Sequence, residues 1–535
     1  MNPKVCVIGA GVSGIACVKE LAELGIDVEA FEMMPVIGGV FGSYGWKGGH
    51  FTSSSVFTWF SQYPAKDRQK FFTWEEFMEY LTDYVNHFKI ADRIHLNCRV
   101  LSAEERNGKW LVRIKKGNWS NGHYFHPKQE IQEEEFAGEY TNLIVCSGLH
   151  NAPAIPDIAS LDQFTGRVIH SRDYRDAEVF RDKRVLVVGS GESGSDIAAQ
   201  ISEVAKQCTI SMRSAPGTLF PRYVQGDTAD IRDDRLTYNL PRIWWPLLLR
   251  GHRRFYLRQK NDRELFQWAA QSNYRNKRCP FNTNACKSFG IPEAIIKNRA
   301  VLKPGIKSVR DSRVTFADQS SIEFDAIIFC TGYQVRFSFF DSKISDGLLP
   351  VNRLWKNCVS LDFGSRLCLV GFSRPQQINL VSIAEMQARL VSLLISGKKH
   401  LPARQELSET IQQDQHWMQT FYSDRYLKNP ALIDYLYYTD GIAKLIGCEV
   451  PLLKALLRDP HLWLKLIFAS LNGAHYRLAG PGSDWDSAAH TIKQTPQFNN
   501  WSNAILRWSV LSLVTAFSMV CSPFSRRFRL IKNQG

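Results

Sequence analysis

The chain has 535 residues, 44% of them hydrophobic, which is too long for one ordinary domain and too apolar for a disordered one. Lys and Arg number 66 against 52 Asp and Glu, a net charge of +14 that favours anionic partners such as nucleotide phosphates or an acidic membrane surface. The body of the chain has no dense Lys/Arg run interleaved with aromatics, and its 12 cysteines form no CxxC pair or zinc-spaced cluster, so neither nucleic acid nor a metal is expected.

The first element is "KVCVIGAGVSGIACVKELAELGIDVEAFE", Lys4 to Glu32. An apolar strand, Val5 to Ile8, meets Gly9-x-Gly11-x-x-Gly14, and a helix follows with Ile15, Val18, Leu21, Ala22 and Leu24 inward. A second strand, Val28 to Phe31, ends in Glu32. Glycines at this spacing permit a tight turn, close approach of a pyrophosphate and close packing of helix on strand. The helix N-terminus then faces the anion, and Glu32 stands where a ribose hydroxyl is bound. After Glu32 comes "MMPVIGGVFG", whose Gly38 and Gly39 let the backbone run close to a flavin. No cysteine lies between Cys17 and Cys98, which argues against a dithiol relay.

The unit recurs at "KRVLVVGSGESGSDIAAQISEVAKQCTISMRS", with Gly189, Gly191 and Gly194 in the turn. Its second strand, Thr209 to Met212, ends in Arg213 and Ser214 instead of an acid. A guanidinium there clasps a 2′-phosphate that a carboxylate would repel. The first site is therefore expected to hold FAD and the second NADPH, giving a flavoprotein that takes hydride from NADPH.

Two more apolar strands are expected to pass between the units: "NLIVCSGLHNAPAIP" on the way out and "EFDAIIFCTGYQ", Glu323 to Gln334, on the way back. Between Pro216 and Ala300 a stretch rich in Trp, Tyr, Arg and Pro reads as a helical insertion. Scattered cysteines within apolar runs, such as Cys6, Cys146 and Cys330, fit a reducing compartment. From Trp508 to Phe524 the chain carries no charge and is then followed by "SRRFRLIK". That run is short for a span of about 20 residues, so it reads either as a buried helix or as a membrane-associated tail.

Between the two glycine loops stands "FTGRVIHSRDY", Phe164-x-Gly166-x-x-x-His170-x-x-x-Tyr174. It resembles the FxGxxxHxxxY/F fingerprint of the flavin-containing monooxygenases, the class B flavoprotein monooxygenases, and stands where that family has it. Residue His170 either sets the geometry between the units or packs in a linker. The resemblance extends along nearly the whole chain. "GGVF" resembles the family's "GGLW", "CTGY" its "ATGY", and "AHYRLAGPGSDW" the "YRLVGPGxW" of the animal microsomal, N-oxide-forming members.

The resemblance implies an α/β fold with two Rossmann-like domains, the NADPH domain inserted in the FAD domain, plus a helical insertion and a hydrophobic C-terminal tail. The expected divisions are 1–165 for the first part of the FAD domain, 166–182 for the link and 183–330 for the NADPH domain, with its insertion at about 216–300. The FAD return follows at 331–485 and the tail at 500–535. FAD is expected on Gly9, Ala10, Gly11, Val12, Ser13, Gly14, Glu32, Val40 and Phe41, and NADPH on Gly189, Gly191, Ser193, Gly194, Ser195, Asp196, Arg213 and Ser214. Thr52, Ser53 and Ser54 are expected beside flavin and nicotinamide, with Ser53 as the catalytic position.

Two departures stand out. Glu192 replaces the Asn of the family's GxGNSG, and "FTSSSVF" sets Ser53 where the family has an Asn facing the flavin. One hydroxyl then stands where the family has two N–H donors and a carbonyl.

The implied reaction is insertion of one oxygen atom from O2 into a soft nucleophilic nitrogen or sulfur of a small substrate, through a flavin C4a-hydroperoxide. The alternatives are a biosynthetic N-hydroxylating or Baeyer–Villiger enzyme and, given Ser53, an uncoupled NADPH oxidase releasing peroxide. The animal members' tail anchor implies the endoplasmic reticulum membrane with the catalytic body in the cytosol; the alternative is a cytoplasmic protein.

Overall fold

The computed structural model describes residues 2–119, 131–214, 217–224, 226–239, 251, 253–274, 285–375, 378 and 380–497. The chain begins with β1 (Lys4–Ile8), α1 (Val12–Glu23) and β2 (Asp27–Phe31), then β3 (Ile94–His95) and β4 (Asn142–Val145). An antiparallel meander, Cys98–Arg106, Lys109–Lys116 and Glu134–Tyr140, lies between β3 and β4. A second sheet is built from β5 (Arg167–His170), β6 (Arg184–Val188), α2 (Glu192–Val204), β7 (Gln207–Ser211), β8 (Val301–Lys303) and β9 (Ala326–Phe329). The chain then closes the first sheet with β10 (Val359–Ser360) and β11 (Gly364–Leu369), followed by α3 (Leu380–Ile395).

The first sheet has the order β10-β11-β4-β1-β2-β3, and the second β8-β7-β6-β9-β5. Every pairing in them is parallel except β10 with β11. Residues Val5 to Ile8 and Val185 to Val188 are all buried. Continuous apolar runs of this kind are what parallel strands covered on both faces require. The helix α1 is buried from Val12 to Leu21 and shares one core with α3, so it is enclosed rather than amphipathic.

Glu323 to Gln334 is not one continuous strand. Asp325 interrupts it, because its carboxylate accepts from the Arg184 backbone N–H at 2.7 Å and from the Arg184 guanidinium at 2.8 Å. The apolar part, β9, is interior to the second sheet, and β11 supplies the return strand, beside β4. Tyr333–Gln334 then pairs antiparallel with Ala152–Pro153, so the outgoing and returning stretches form a ribbon between the sheets. Thr331 Oγ1 donates to Ala154 O at 2.6 Å, and Ala154 N to Gly332 O at 2.9 Å.

The fingerprint stretch fastens that ribbon. His170 is 3% exposed; its Nδ1 accepts the Arg172 N–H, its Nε2 lies 3.0 Å from Gly332 O, and its ring meets Tyr333 edge-on. Tyr174 is fully buried, stacks on Phe180 and donates to Gln200 on α2. The segment read as a link contributes β5, an edge strand of the second sheet. The described part of the expected insertion holds short strands and helices, including Arg235–Asn239, Arg263–Tyr274 and Gly290–Ile296. The apolar tail lies outside the described residues, and among those described no helix is long and apolar enough to cross a membrane. The ten described cysteines are all free and buried.

Candidate functional site: two glycine loops and the loop between them

Each glycine loop leaves the C-terminal end of an interior strand of its sheet, the position at which parallel α/β sheets bind ligands. Gly9 and Gly189 have φ of +101° and +116°, which side chains rarely adopt. A Cβ on Gly14 would stand 1.9 Å from Gly9 O, and one on Gly194 2.5 Å from Gly189 O, so the third glycine of each loop is fixed by contact of helix on strand. The middle glycines differ. A Cβ on Gly191 would meet no atom within 4 Å, and one on Gly11 would meet only Gly39, at 3.6 Å or more. Each loop thus keeps an open cradle beside a helix N-terminus with unpaired backbone N–H groups, which suits a pyrophosphate.

Around the first loop, Gly38 N donates to Ala10 O, folding the second glycine pair onto the first. Glu32 is 7% exposed and accepts from Ala10 N at 2.8 Å and Met34 N at 2.9 Å. Burial raises its carboxyl above the ordinary value, although the backbone donors oppose that. Each oxygen retains a lone pair for a ribose hydroxyl. Val12 and Ser13 are buried against the protein. Gly371, which follows β11 with φ +89°, packs so closely that a Cβ would fall 1.9 Å from Ser13 Oγ. Sequence reasoning missed this return loop, whose signal is no more than the apolar run "LCLVG" ending in glycine.

Around the second loop, Arg213 and Ser214 are exposed at the end of β7, with Gly305 beneath the Arg213 stem. Two expected cofactor contacts point elsewhere. Ser195 is fully buried and its hydroxyl accepts from Ile291 N at 3.0 Å. Asp196 is bound to Arg222 at 2.6 Å and accepts from Ser288 Oγ at 2.6 Å. These two face the protein because α2 turns them away from its open end. Glu192 Oε1 lies 3.4 Å from the Lys287 backbone N–H, and burial raises its carboxyl above the ordinary value.

Between the cradles runs the loop Phe51 to Ser54. Phe41 stacks on Phe51 at 4.5 Å between centroids, and Phe51 meets Phe77 at 4.6 Å. Thr52 is half-buried, Ser53 is 6% exposed and Ser54 is fully enclosed. Ser54 N donates to Asp230 Oδ2 at 2.8 Å, a bond across 176 positions of sequence. The structure therefore draws Val40–Phe41, the Ser53 loop and the first turn of α2 into one region. Arg222, Asp230, Lys287 and Ser288, which sequence reasoning missed, join them there.

Two dinucleotide cradles on parallel sheets, joined at a buried polar loop, define a flavoprotein oxidoreductase that takes its electrons from a nicotinamide nucleotide. The chain belongs to the flavin-binding monooxygenase-like family, whose model matches residues 2–505. It is 33% identical to a 4-hydroxybenzoate brominase (decarboxylating) of Marinomonas mediterranea over 519 residues, covering 94% of this chain and 95% of that one. It is 28% identical to flavin-containing monooxygenase 5 of Oryctolagus cuniculus, covering 91% of each. Among solved structures, cyclohexanone monooxygenase from Rhodococcus sp. Phi1 bound to NADP+ superposes with a TM-score of 0.60 at 18% identity, covering 83% of this chain and 97% of that one. The enzyme is a flavin-dependent monooxygenase, and its cofactors are FAD and NADPH.

Proposed function

We propose that the enzyme delivers one oxygen atom from O2 to a soft nucleophile, an amine nitrogen or a thioether sulfur of a small molecule, at the Ser53 loop. One observation carries the reading: the loop is buried, and it is tied to the flavin side through Phe41 and to the NADPH side through Asp230. Bound FAD, reduced by NADPH, supplies the oxygen-activating chemistry. The protein's part is to orient, to exclude water and to place a few donors. Phe41, Phe51, Phe72 and Phe77 form the apolar wall behind the loop. Ser53 contributes one rotatable hydroxyl, able to give one hydrogen bond and accept others. Thr52 offers a second. The open cradles at Gly11 and Gly191 take the pyrophosphates, Glu32 the flavin-side ribose, and Arg213 with Ser214 the 2′-phosphate.

A second reading is halogenation of a phenol, which the 33% identity to a brominase favours. Bromide is itself a soft nucleophile, so the same site would serve both reactions. Membrane attachment rests on the tail's uncharged run, and the endoplasmic reticulum as its place on the resemblance to the animal microsomal members; carbonate extraction of full-length protein against a chain ending at 497 tests the attachment.

The test of function supplies the purified holoenzyme with NADPH and ¹⁸O₂, first with amines and sulfides, then with bromide and 4-hydroxybenzoate. Label in an N- or S-oxide supports oxygen transfer, and a brominated phenol supports the second reading. One peroxide per NADPH, unchanged by every substrate, overturns both and makes the protein an oxidase.

A further inference from the structure

We propose that Arg222 and Asp230 are positioning residues that fix the Ser53 loop to the first turn of α2, so that the loop and the NADPH cradle move as one body. The proposal rests on the reading that the reaction takes place at Ser53, but the linkage itself is measured separately below.

Two contact chains start on α2 and end on either side of Ser53. In the first, Asp196 holds the Arg222 guanidinium at 2.6 and 3.3 Å, and Arg222 Nε donates to Phe51 O at 3.1 Å, with Nη2 3.5 Å from His50 O. In the second, Glu192 Oε1 lies 3.4 Å from Lys287 N, and the Lys287 ammonium lies 3.4 Å from Asp230 Oδ2, which accepts Ser54 N at 2.8 Å. One chain grips the carbonyls at 50 and 51, and the other the N–H at 54. The two residues between them, Thr52 and Ser53, have little freedom left.

The charges involved are enclosed: Asp230 is 4% exposed and Lys287 8%, and the Arg222 and Asp196 side chains are 19% and 13% exposed. Plain packing does not require this, since apolar side chains of similar volume hold two segments together as well as an enclosed ion pair does. What the charges add is direction. A planar guanidinium binds a carboxylate and a carbonyl at fixed angles, and a buried carboxylate holds an N–H more tightly than a neutral acceptor. Ser54 Oγ, Ser55 Oγ and Asp230 Oδ1 are buried without a hydrogen-bond partner among the described residues. Backbone bonds from Phe51 N to Phe72 O and from Ser55 N to Lys70 O hold the loop to its own unit, and the grip through Arg222 and Asp230 is what ties it to α2. The same chains account for Glu192, whose carboxylate starts the second one.

The test compares wild type with Asp230→Ala, Asp230→Asn and Arg222→Lys, each loaded with FAD. Amide hydrogen exchange is followed over residues 50–58, with and without NADP+. In wild type, NADP+ is expected to slow exchange in this segment. In Asp230→Ala the Ser54 amide exchanges about tenfold faster or more, and the response to NADP+ disappears. Asp230→Asn, which keeps an acceptor, restores protection, a rescue that general destabilisation would not give. Arg222→Lys, which loses the fork, also abolishes the response. In both defective variants peroxide released per NADPH rises, while exchange over residues 5–15 stays as in wild type. If Asp230→Ala does not retain FAD, Arg222→Lys decides by the same criteria. Unchanged exchange at 50–58 in the variants, or no NADP+ response in wild type, overturns the proposal. A lost response together with wild-type enzyme that makes only peroxide leaves the linkage standing and removes the oxygen-transfer reading.

Discussion

Asp233 lies beside Asp230 and Asp234, and burial, only partly offset by Lys287, pushes its carboxyl up to about 7. In the unfolded chain the group releases its proton near the ordinary value of 3.8. Between those two values the folded state holds a proton that the unfolded state has lost. The resulting stabilisation is complete below about pH 4 and is lost as the pH rises through about 7. Above that, wild type folds around a half-buried anion. Asp233→Asn should therefore be more stable by about 1–3 kcal/mol near pH 8.5, with the gain shrinking as the pH falls toward 5. Thermal melts across that range check the slope; a gain independent of pH would mean that the carboxylate stays hydrated. The glycines give an equally local expectation. Gly191→Ala adds a methyl group to open space, so the variant should fold, keep FAD and show a KM for NADPH raised about tenfold or more. Gly194→Ala drives its methyl group against Gly189 O and should lower the stability as well, by the roughly 1–3 kcal/mol typical of overpacking. Equal stability losses in the two variants would show that the cradle at Gly191 is not open.

At the scale of elements, the two βαβ units are legible in the sequence because three signals coincide in each: an apolar run, glycines at fixed spacing and a helical apolar face. β1, β2 and β7 lie within a residue or two of the expected bounds, and α1, β6 and α2 follow in the expected order. The return to the first sheet is not legible. Both β9 and β11 are short apolar runs ending near a glycine, and periodicity does not say which sheet each joins. Asp325 decides it by holding Arg184 of β6, a contact across 141 positions. The facing of α2 is hidden for a related reason. Ser195 and Asp196 sit in the glycine-loop motif, but the helix turns them toward Ile291 and Arg222. The site is legible as far as it is local: the cradles, Glu32 and the serine loop. Its remaining polar residues come from stretches distant in sequence, Arg222 and Asp230 at 171 and 176 positions from the loop contacts they make, where no spacing rule applies.

At the scale of the whole molecule, the C-terminal stretch "AHYRLAGPGSDW" reaches back to the helix that opens from the first glycine loop. Arg477 is 2% exposed and donates to Glu20 on α1 at 2.6 Å, to Glu385 on α3 at 2.9 Å and to Ser61 Oγ at 2.7 Å. Arg389 on α3 holds the same stretch by donating to the carbonyls of Tyr476 and Pro481, both at 3.0 Å. Burial would raise the Glu20 carboxyl, yet Arg477, Lys19 and Arg389 overrule it and hold it down at about 2. The cluster thus fastens the end of the described chain to its beginning, and α1 passes that restraint to the cradle at its N-terminus. Removing a single member leaves buried charge uncompensated, which costs far more than the intact pair contributes. Arg477→Met, close in volume, strands Glu385 in the core and leaves Glu20 with Lys19 as its ion-pair partner. It should lose about 3–5 kcal/mol in urea unfolding and release FAD more readily, while the second unit, which Arg477 does not touch, keeps its fold. Adding Glu20→Gln and Glu385→Gln removes the stranded charge and should recover most of the loss. Urea midpoints and FAD content of the single and triple variants distinguish the cases. A triple variant no better than Arg477→Met would show that the guanidinium acts by packing alone.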